Sequence, residues 1–248
     1  MFNHLKAPSI YFMKYNPIQL SLLLLLSVFA ETGLHAVDES TAFTQFYDRS
    51  PTKYAGDMRR FDQEVHAPGG IVAVGSSSMR MWGSIQRDLA PLTIIRRGFG
   101  GSTFDDVLYS VDTLILKSRP RAVLIYEGDN DLAHGASPQV VADCFQAIVS
   151  KVHAVQPEVR FYVMAIKPSL ARKNLWGRMQ EANELLKGIC ESNPLLTYID
   201  SSSGMLNLDG TIRPDIFKGD NLHMNDRGYA VWAEAVAPVL KSSELAYE

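Results

Sequence analysis

The sequence predicts an α/β protein with a five-stranded parallel sheet and helices on both of its sides. Five short apolar runs alternate with segments of helical periodicity along the 248 residues, the pattern of a chain built from strand–helix–strand units. Each run is continuously apolar rather than alternating, as expected for strands buried on both faces. No repeat, low-complexity tract or internal linker is present, so we expect residues 54–248 to form a single domain.

The predicted strands are the five apolar runs Ile71–Val74, Thr93–Ile95, Ala122–Tyr126, Phe161–Ile166 and Leu196–Ile199. Each run ends at or near a residue that stops a strand or opens a turn, namely Gly75, Gly98, Gly128, Pro168 and Asp200. Sheets of this class bind ligands outside the carboxyl ends of their strands. Functional residues are therefore expected at these five positions and in the loops just beyond them.

Helical periodicity predicts five helices, Tyr54–His66, Phe104–Lys117, Pro138–Val155, Leu175–Ser192 and Asn225–Leu240. Pro138 suits the first turn of its helix, where no amide hydrogen is needed, and Ser137 is placed to cap the free amides of that turn. Asn225 is placed to cap the last helix in the same way.

Residues 1–36 have the pattern of a secretory signal peptide. Lys6 and Lys14 precede an uncharged apolar run that extends to Ala30, and this run is shorter than the roughly 20 residues that span a bilayer. Cleavage is expected after Ala30 or Ala36, and an uncleaved anchor is the alternative. We therefore expect an exported protein, periplasmic or extracellular, which contacts a membrane only if the leader is retained. Residues 37–53 are expected to be an extended lead-in.

The composition does not indicate a nucleic-acid partner. The chain is 46% hydrophobic and 21% charged, which is ordinary for a globular protein. Without two lysines and one glutamate of the leader, 22 basic residues face 26 acidic ones, a net charge of −4. Cys144 and Cys190 fit no metal-binding spacing, and we expect no metal or other cofactor. Both fall in predicted helices, where two buried thiols are commoner than the alternative, a disulfide.

Three serines follow Gly75 at the end of the first strand. The glycine permits a sharp exit that presents a hydroxyl at the sheet edge, and the helical segment beyond directs free amides to the same point. A serine hydroxyl is a weak nucleophile until a base takes its proton. Ser77 is the candidate nucleophile, with Ser76 and Ser78 as alternatives, although the segment alone is also typical of a simple turn.

Two further strand ends offer donors for a negatively charged oxygen. The glycines of 98–101 let a backbone amide approach a ligand closely, and Asn130 offers a side-chain amide after the third strand. Each pattern is also typical of an ordinary turn. The glycines do not match Gly-x-Gly-x-x-Gly, so a nicotinamide cofactor is not expected.

His223 is the candidate general base. It follows Asp220 by three residues in a polar loop, a spacing at which the carboxylate can hold the imidazole in the tautomer that accepts a proton from serine. A surface histidine that caps the last helix is the alternative interpretation. His134, near the end of the third strand, is the competing histidine.

The four blocks, in this order, resemble those of the SGNH or GDSL-type hydrolase superfamily: Ser77 in Gly-Ser-Ser-Ser, Gly101 in Gly-Phe-Gly-Gly, Asn130 in Gly-Asp-Asn-Asp and His223 in Asp-x-x-His. The resemblance implies a flavodoxin-like, three-layer α/β/α sandwich and a serine esterase that needs no metal. It implies Ser77 as nucleophile, His223 as general base and Asp220 as the residue that orients the base. It also implies an oxyanion hole formed by the Ser77 amide, the Gly101 amide and the Asn130 side chain.

The chain departs from the family pattern at Ser76, where an aspartate usually precedes the nucleophile. Cations and aromatic residues near the strand ends are candidates for substrate contact: Trp82, Arg97 and Lys167, with Phe99 and Trp176 beside them. Core packing is the alternative for the aromatic residues, and solvation is the alternative for the cations. A pair of cations at the site would suit an anionic ester.

The sequence therefore predicts an esterase that acts through a covalent acyl-enzyme on a small-molecule or glycan ester. A short acyl group such as acetyl is favoured because no long apolar lid occurs between the four blocks. An acyltransferase with the same residues and a catalytically silent glycan-binding module are the alternatives.

Overall fold

The computed structural model describes residues 52–248. This part of the chain contains a five-stranded sheet. The strands are β1 (Ile71–Gly75), β2 (Ile94–Gly98), β3 (Ala122–Tyr126), β4 (Arg160–Met164) and β5 (Leu196–Ile199). All neighbours are parallel, in the order β2-β1-β3-β4-β5. The predicted α/β/α fold is thereby confirmed. The predicted leader and nearly all of the predicted lead-in lie outside the described residues.

The helices are α1 (Ala55–Gln63), α2 (Ser77–Met81), α3 (Ile85–Asp88), α4 (Phe104–Tyr109), α5 (Val111–Leu114), α6 (Asp129–Ala133), α7 (Pro138–His153), α8 (Trp176–Glu191) and α9 (Asp226–Glu244). The helical segment expected beyond Gly75 is α2. The short helices α3 and α6 were not predicted, since four or five residues are too few to show helical periodicity. The predicted helix over 104–117 is divided at Ser110, which ends α4 and begins α5 with non-helical dihedral angles.

Helices cover both faces of the sheet because successive strand residues point to opposite sides. Val72 and Val74 belong to an apolar cluster with α1, α4, α5, α7 and α8. Ile71 and Ala73 belong to a second cluster with α2, α3 and α9. The β1 side chains are fully buried on both faces, which explains their continuous apolar sequence. This buried strand, which lies between β2 and β3, fixes the position of the segment that follows Gly75.

The two predicted helix caps are present. The Ser137 hydroxyl accepts a hydrogen bond from the Val140 amide at 3.2 Å, at the start of α7. Asn225 Oδ1 accepts from the amides of Arg227 and Gly228, at 2.9 and 3.2 Å, and so caps α9. Among residues 52–248, no helix combines the length and apolar character needed to cross a membrane.

The two cysteines are buried thiols, as expected, and no disulfide joins them. Cys144 lies in α7 and Cys190 in α8, and both side chains belong to the same apolar cluster. Burial raises the pKa of the Cys190 thiol to about 12. Cys190 is therefore an inert core residue at neutral pH.

The last residue of α9, Glu244, anchors the helix beneath the sheet at the end opposite the strand carboxyl termini. Its fully buried carboxylate pairs with Arg121 at 3.0 Å and with Arg160 at 2.6 Å, and it accepts a hydrogen bond from the Tyr162 hydroxyl at 2.6 Å. Although burial alone would raise the pKa of Glu244, the hydrogen bonds from Arg160, Tyr162 and Arg121 lower it below the usual range.

We expect Glu244→Ala to lower the free energy of unfolding by about 3 kcal/mol. This is the low end of the effect of breaking a buried ion pair, because the side chains of Arg121 and Arg160 both keep some solvent exposure. Urea denaturation of this variant beside Glu234→Ala, an exposed position on the same helix, is the measurement. Since folding lowers the Glu244 pKa, its stabilisation is complete above the unfolded value of about 4.3 and is lost as the pH falls through the folded value. Equal stability of the two variants at neutral pH would contradict this role.

Candidate active site

Ser77 is the first residue of α2, directly beyond the carboxyl end of β1. Gly75 has φ +155°, and a Cβ atom there would lie 2.2 Å from the Tyr126 carbonyl oxygen, so the strand exit requires glycine. Ser76 and Ser78 are 1% and 2% exposed, whereas Ser77 is half-buried. The sharp exit therefore leaves Ser77 as the accessible member of the three serines.

The structure brings Ser77, His223 and Asp220 into one hydrogen-bonded row. His223 Nε2 lies 3.0 Å from Ser77 Oγ, and His223 Nδ1 lies 2.6 Å from Asp220 Oδ2. An ionised carboxylate can only accept a hydrogen bond, so Nδ1 carries the proton. His223 Nε2 is therefore the unprotonated nitrogen, and it accepts from the Ser77 hydroxyl.

Asp220 is held by the loop that it belongs to. Its Oδ1 accepts hydrogen bonds from the amides of Leu222 and His223, at 3.0 and 2.9 Å. Asn221, which lies between Asp220 and Leu222, adopts the left-handed conformation, with φ 55°. The hydrogen bonds from the His223 ring and from the two amides hold the Asp220 pKa well below its usual range. Asp220 is therefore a charged acceptor at neutral pH.

Gly101 and Asn130 follow the two strands that flank β1. Gly101 lies beyond β2 with φ 79°, and Asn130 lies in α6 just beyond β3. Asn130 Nδ2 donates to the Ser102 carbonyl at 2.9 Å, which uses one of its two hydrogens. The three predicted oxyanion donors are therefore placed at three adjacent strand ends.

Arg172 is a contact of this site that sequence reasoning missed. It lies in the short 3-10 segment Leu170–Leu175 beyond β4, and its Nη2 donates to Asn130 Oδ1 at 2.9 Å. Nη1 lies 3.1 Å from Asp129 Oδ2. With Oδ1 occupied by Arg172, the Asn130 amide group is fixed with its nitrogen on the side of Ser102. The sequence feature that could have indicated Arg172 is the basic pair Arg172-Lys173, which lies beyond the carboxyl end of β4.

Two of the predicted substrate contacts are wrong because their side chains belong to the interior. Trp82 is fully buried, stacks with its ring centroid 6.1 Å from that of Tyr229, and donates from Nε1 to Asp88 at 2.9 Å. Arg97 is 1% exposed and is paired with Glu64. Neither side chain is available to a substrate.

Lys167, the third predicted contact, is also buried, and its side chain contacts residues of the site rather than a space open to substrate. Its Nζ donates to the Leu222 carbonyl at 3.0 Å and lies 3.6 Å from Asp129 Oδ2. Burial lowers its pKa. The prediction of a substrate contact is wrong for Lys167, which instead joins the loop of His223 to the end of β4.

The remaining candidates are divided between the core and the surface. Phe99 is fully buried against Tyr54, with the ring centroids 4.8 Å apart, and Trp176 is half-buried. His134, the competing histidine, is exposed at the end of α6. Within residues 52–248, no group of three or more His, Cys, Asp or Glu side chains is arranged to hold a metal ion.

Comparison with protein families matches residues 70–231 to the model of the GDSL-like lipase/acylhydrolase family. The matched segment begins just before β1 and ends within α9, so it includes all four predicted blocks. Among curated proteins, platelet-activating factor acetylhydrolase IB subunit alpha1 of Rattus norvegicus is 29% identical over 176 residues, which are 68% of this chain and 74% of the rat protein.

Solved structures share the fold. A Bacteroides fragilis protein described as an acylhydrolase has a TM-score of 0.68 at 17% identity, over 79% of this chain and 99% of its own. An acetylxylan esterase from Geobacillus stearothermophilus has a TM-score of 0.54 at 14% identity, over 74% of this chain and 97% of its own. At these identities, the similarity shows a common architecture.

Proposed function

Because the chain belongs to the GDSL-like lipase/acylhydrolase family and is a carboxylic ester hydrolase, we propose that it removes short acyl groups through a covalent intermediate on Ser77. The observation that carries this proposal is the row of hydrogen bonds from Ser77 through His223 to Asp220, with O–N distances of 3.0 and 2.6 Å. A hydroxyl, a base and a group that orients the base are the elements of nucleophilic catalysis by serine.

In the first half of the proposed reaction, Ser77 Oγ forms a bond to the ester carbonyl carbon and His223 Nε2 takes the hydroxyl proton. The imidazolium is stabilised by the Asp220 carboxylate. The carbonyl π electrons move to its oxygen, and the amides of Ser77 and Gly101 with the second N–H of Asn130 stabilise that charge. The tetrahedral intermediate collapses when His223 returns the proton to the leaving alkoxide, which departs as the alcohol.

In the second half, water replaces the alcohol and the same residues act again. His223 Nε2 takes a proton from water, whose oxygen attacks the acyl carbon. Collapse of the second tetrahedral intermediate expels Ser77 Oγ, which recovers its proton from His223, and the carboxylic acid leaves. No proton remains on the protein after one cycle, and no redox step occurs.

Two observations support a short acyl group, with acetyl as the simplest member. The rat relative is named an acetylhydrolase and the Geobacillus protein an acetylxylan esterase, so both names refer to acetyl esters. The sequence between the four blocks contains no long apolar segment that would cover a lipid chain. A small-molecule ester and a glycan ester both fit this chemistry.

We expect kcat/KM to be highest for p-nitrophenyl acetate and to fall by roughly tenfold or more at p-nitrophenyl octanoate, because a pocket shaped for one methyl group rejects added methylenes. Hydrolysis of the acetyl, butyryl and octanoyl esters by the protein is the measurement, with Ser77→Ala as the background. A maximum at octanoate would overturn the proposed acyl specificity. Acyl transfer to an added alcohol in preference to water would instead favour an acyltransferase.

A further inference from the structure

Glu127 lies between β3 and Gly128 and has no part in the proton transfers described above. Its side chain is fully buried. Oε1 lies 2.5 Å from Ser102 Oγ, and Oε2 has no hydrogen-bond partner among the described residues. A buried carboxyl group with a single polar contact requires an explanation, because an unpaired charge in the interior is strongly unfavourable.

The hydrogen bonds around Ser102 indicate which protonation state the Glu127 carboxyl group adopts. Ser102 Oγ also lies 3.1 Å from the Phe99 carbonyl oxygen, so this hydroxyl stands between two acceptors but has only one hydrogen. If Glu127 is protonated on Oε1, it donates to Ser102 Oγ, and Ser102 donates to Phe99. Oε2 then remains a carbonyl-like oxygen, the kind of buried polar atom that is most easily left without a partner.

The charges around Glu127 also favour the protonated form. Asp131 and Asp129 in α6 and Asp106 in α4 face it, together with the Tyr54 phenol. Within residues 52–248, no ion pair joins Glu127 to a cation. Burial, followed by the charge of Asp131, raises the Glu127 pKa well above its usual range.

We propose that Glu127 is a positioning residue whose neutral carboxyl group donates to Ser102 Oγ and thereby holds the loop that presents the Gly101 amide. This proposal rests on the proposed function, since it concerns the oxyanion hole of that reaction. Glu127 contacts neither substrate nor the reacting atoms. It acts through Ser102.

Ser102 joins the two predicted oxyanion donors that lie outside α2. It follows Gly101 in the chain, and its carbonyl oxygen accepts from Asn130 Nδ2 at 2.9 Å. Its hydroxyl also donates a hydrogen bond to the Phe99 carbonyl oxygen, and this bond connects the two sides of the loop that begins at the end of β2. A shift of Ser102 therefore moves both donors, and donors displaced from the developing charge lose much of their effect on the transition state.

The protonation state is tested by infrared difference spectroscopy of the whole protein against Glu127→Gln at neutral pH. We expect the difference spectrum to contain the C=O stretch of a protonated carboxylic acid. Carboxylate stretches in its place would overturn the proposal. This measurement needs no substrate, so its outcome is independent of whether the proposed esterase reaction is correct.

The positioning role is tested by kinetics with p-nitrophenyl acetate. Glu127→Leu is expected to lower kcat by about tenfold with little change in KM, a fraction of the 10²–10³ that one oxyanion donor contributes. Glu127→Gln retains an N–H donor toward Ser102 and is expected to keep most of kcat. Ser102→Ala should lower kcat similarly, and Glu127→Leu should then add little to it. Equal losses of kcat in the Gln and Leu variants, or additive losses with Ser102→Ala, would overturn the role.

Discussion

Ser77→Ala is expected to lower kcat for p-nitrophenyl acetate by about 10⁵–10⁶-fold, since the acyl-enzyme cannot form without its oxygen. Ser77 Oγ is the hydroxyl in contact with His223 Nε2, at 3.0 Å. The substitution removes one half-buried hydroxyl oxygen at the first residue of a five-residue helix and leaves the hydrogen bonds from the Leu222 and His223 amides to Asp220 intact. The folded state should therefore be retained, which circular dichroism and urea denaturation of the variant will show.

Ser78→Ala is the matched control because it removes the same atom one residue away. The Ser78 hydroxyl is buried, and the contact that ties this residue to α9 is made by its carbonyl oxygen, which accepts from Tyr229 at 2.9 Å. We expect kcat close to that of the parent. Equal rates for the parent and Ser77→Ala would rule out Ser77 as the nucleophile. Activity in neither protein would favour a silent glycan-binding module or a transferase with a narrow acceptor.

The four blocks of the site could be read from the sequence because each is local. A glycine that ends a strand, a serine that follows it, and an Asp and a His three residues apart each need only a few neighbouring positions. Parallel strands then bring these segments to one edge without any further information. The fold followed from equally local patterns, namely continuous apolar runs and the helical period.

The errors concern side chains whose partners are distant in sequence. Arg97 is the last residue but one of β2 and Lys167 lies just beyond β4. At such positions near the end of a strand, a cation can point either to a ligand or to a buried partner. Their partners, Glu64 and the Leu222 carbonyl, lie 33 and 55 residues away. Nothing in a local pattern identifies such pairs. Arg172 was missed for the same reason, since its contact with Asn130 crosses 42 residues.

The second large effect is expected for Asp220→Asn, which should lower kcat by about 10⁴-fold while leaving the loop folded. Asparagine retains the Oδ1 atom that accepts from the Leu222 and His223 amides, at 3.0 and 2.9 Å in the parent. In place of Oδ2, however, it presents an amide nitrogen to His223 Nδ1. That nitrogen donates, so Nδ1 must become the acceptor and the ring proton moves to Nε2.

A proton on Nε2 makes His223 a donor toward Ser77, so the base cannot take the hydroxyl proton even though every heavy atom stays in place. Asp215→Asn is the control, because Asp215 is an exposed carboxylate of the same polar region that pairs with Arg213 rather than with His223. We expect kcat of this control to match the parent, with KM unchanged in both variants. A loss in Asp220→Asn of less than about tenfold would mean that Asp220 only positions the loop, because the tautomer effect alone is worth about 10⁴.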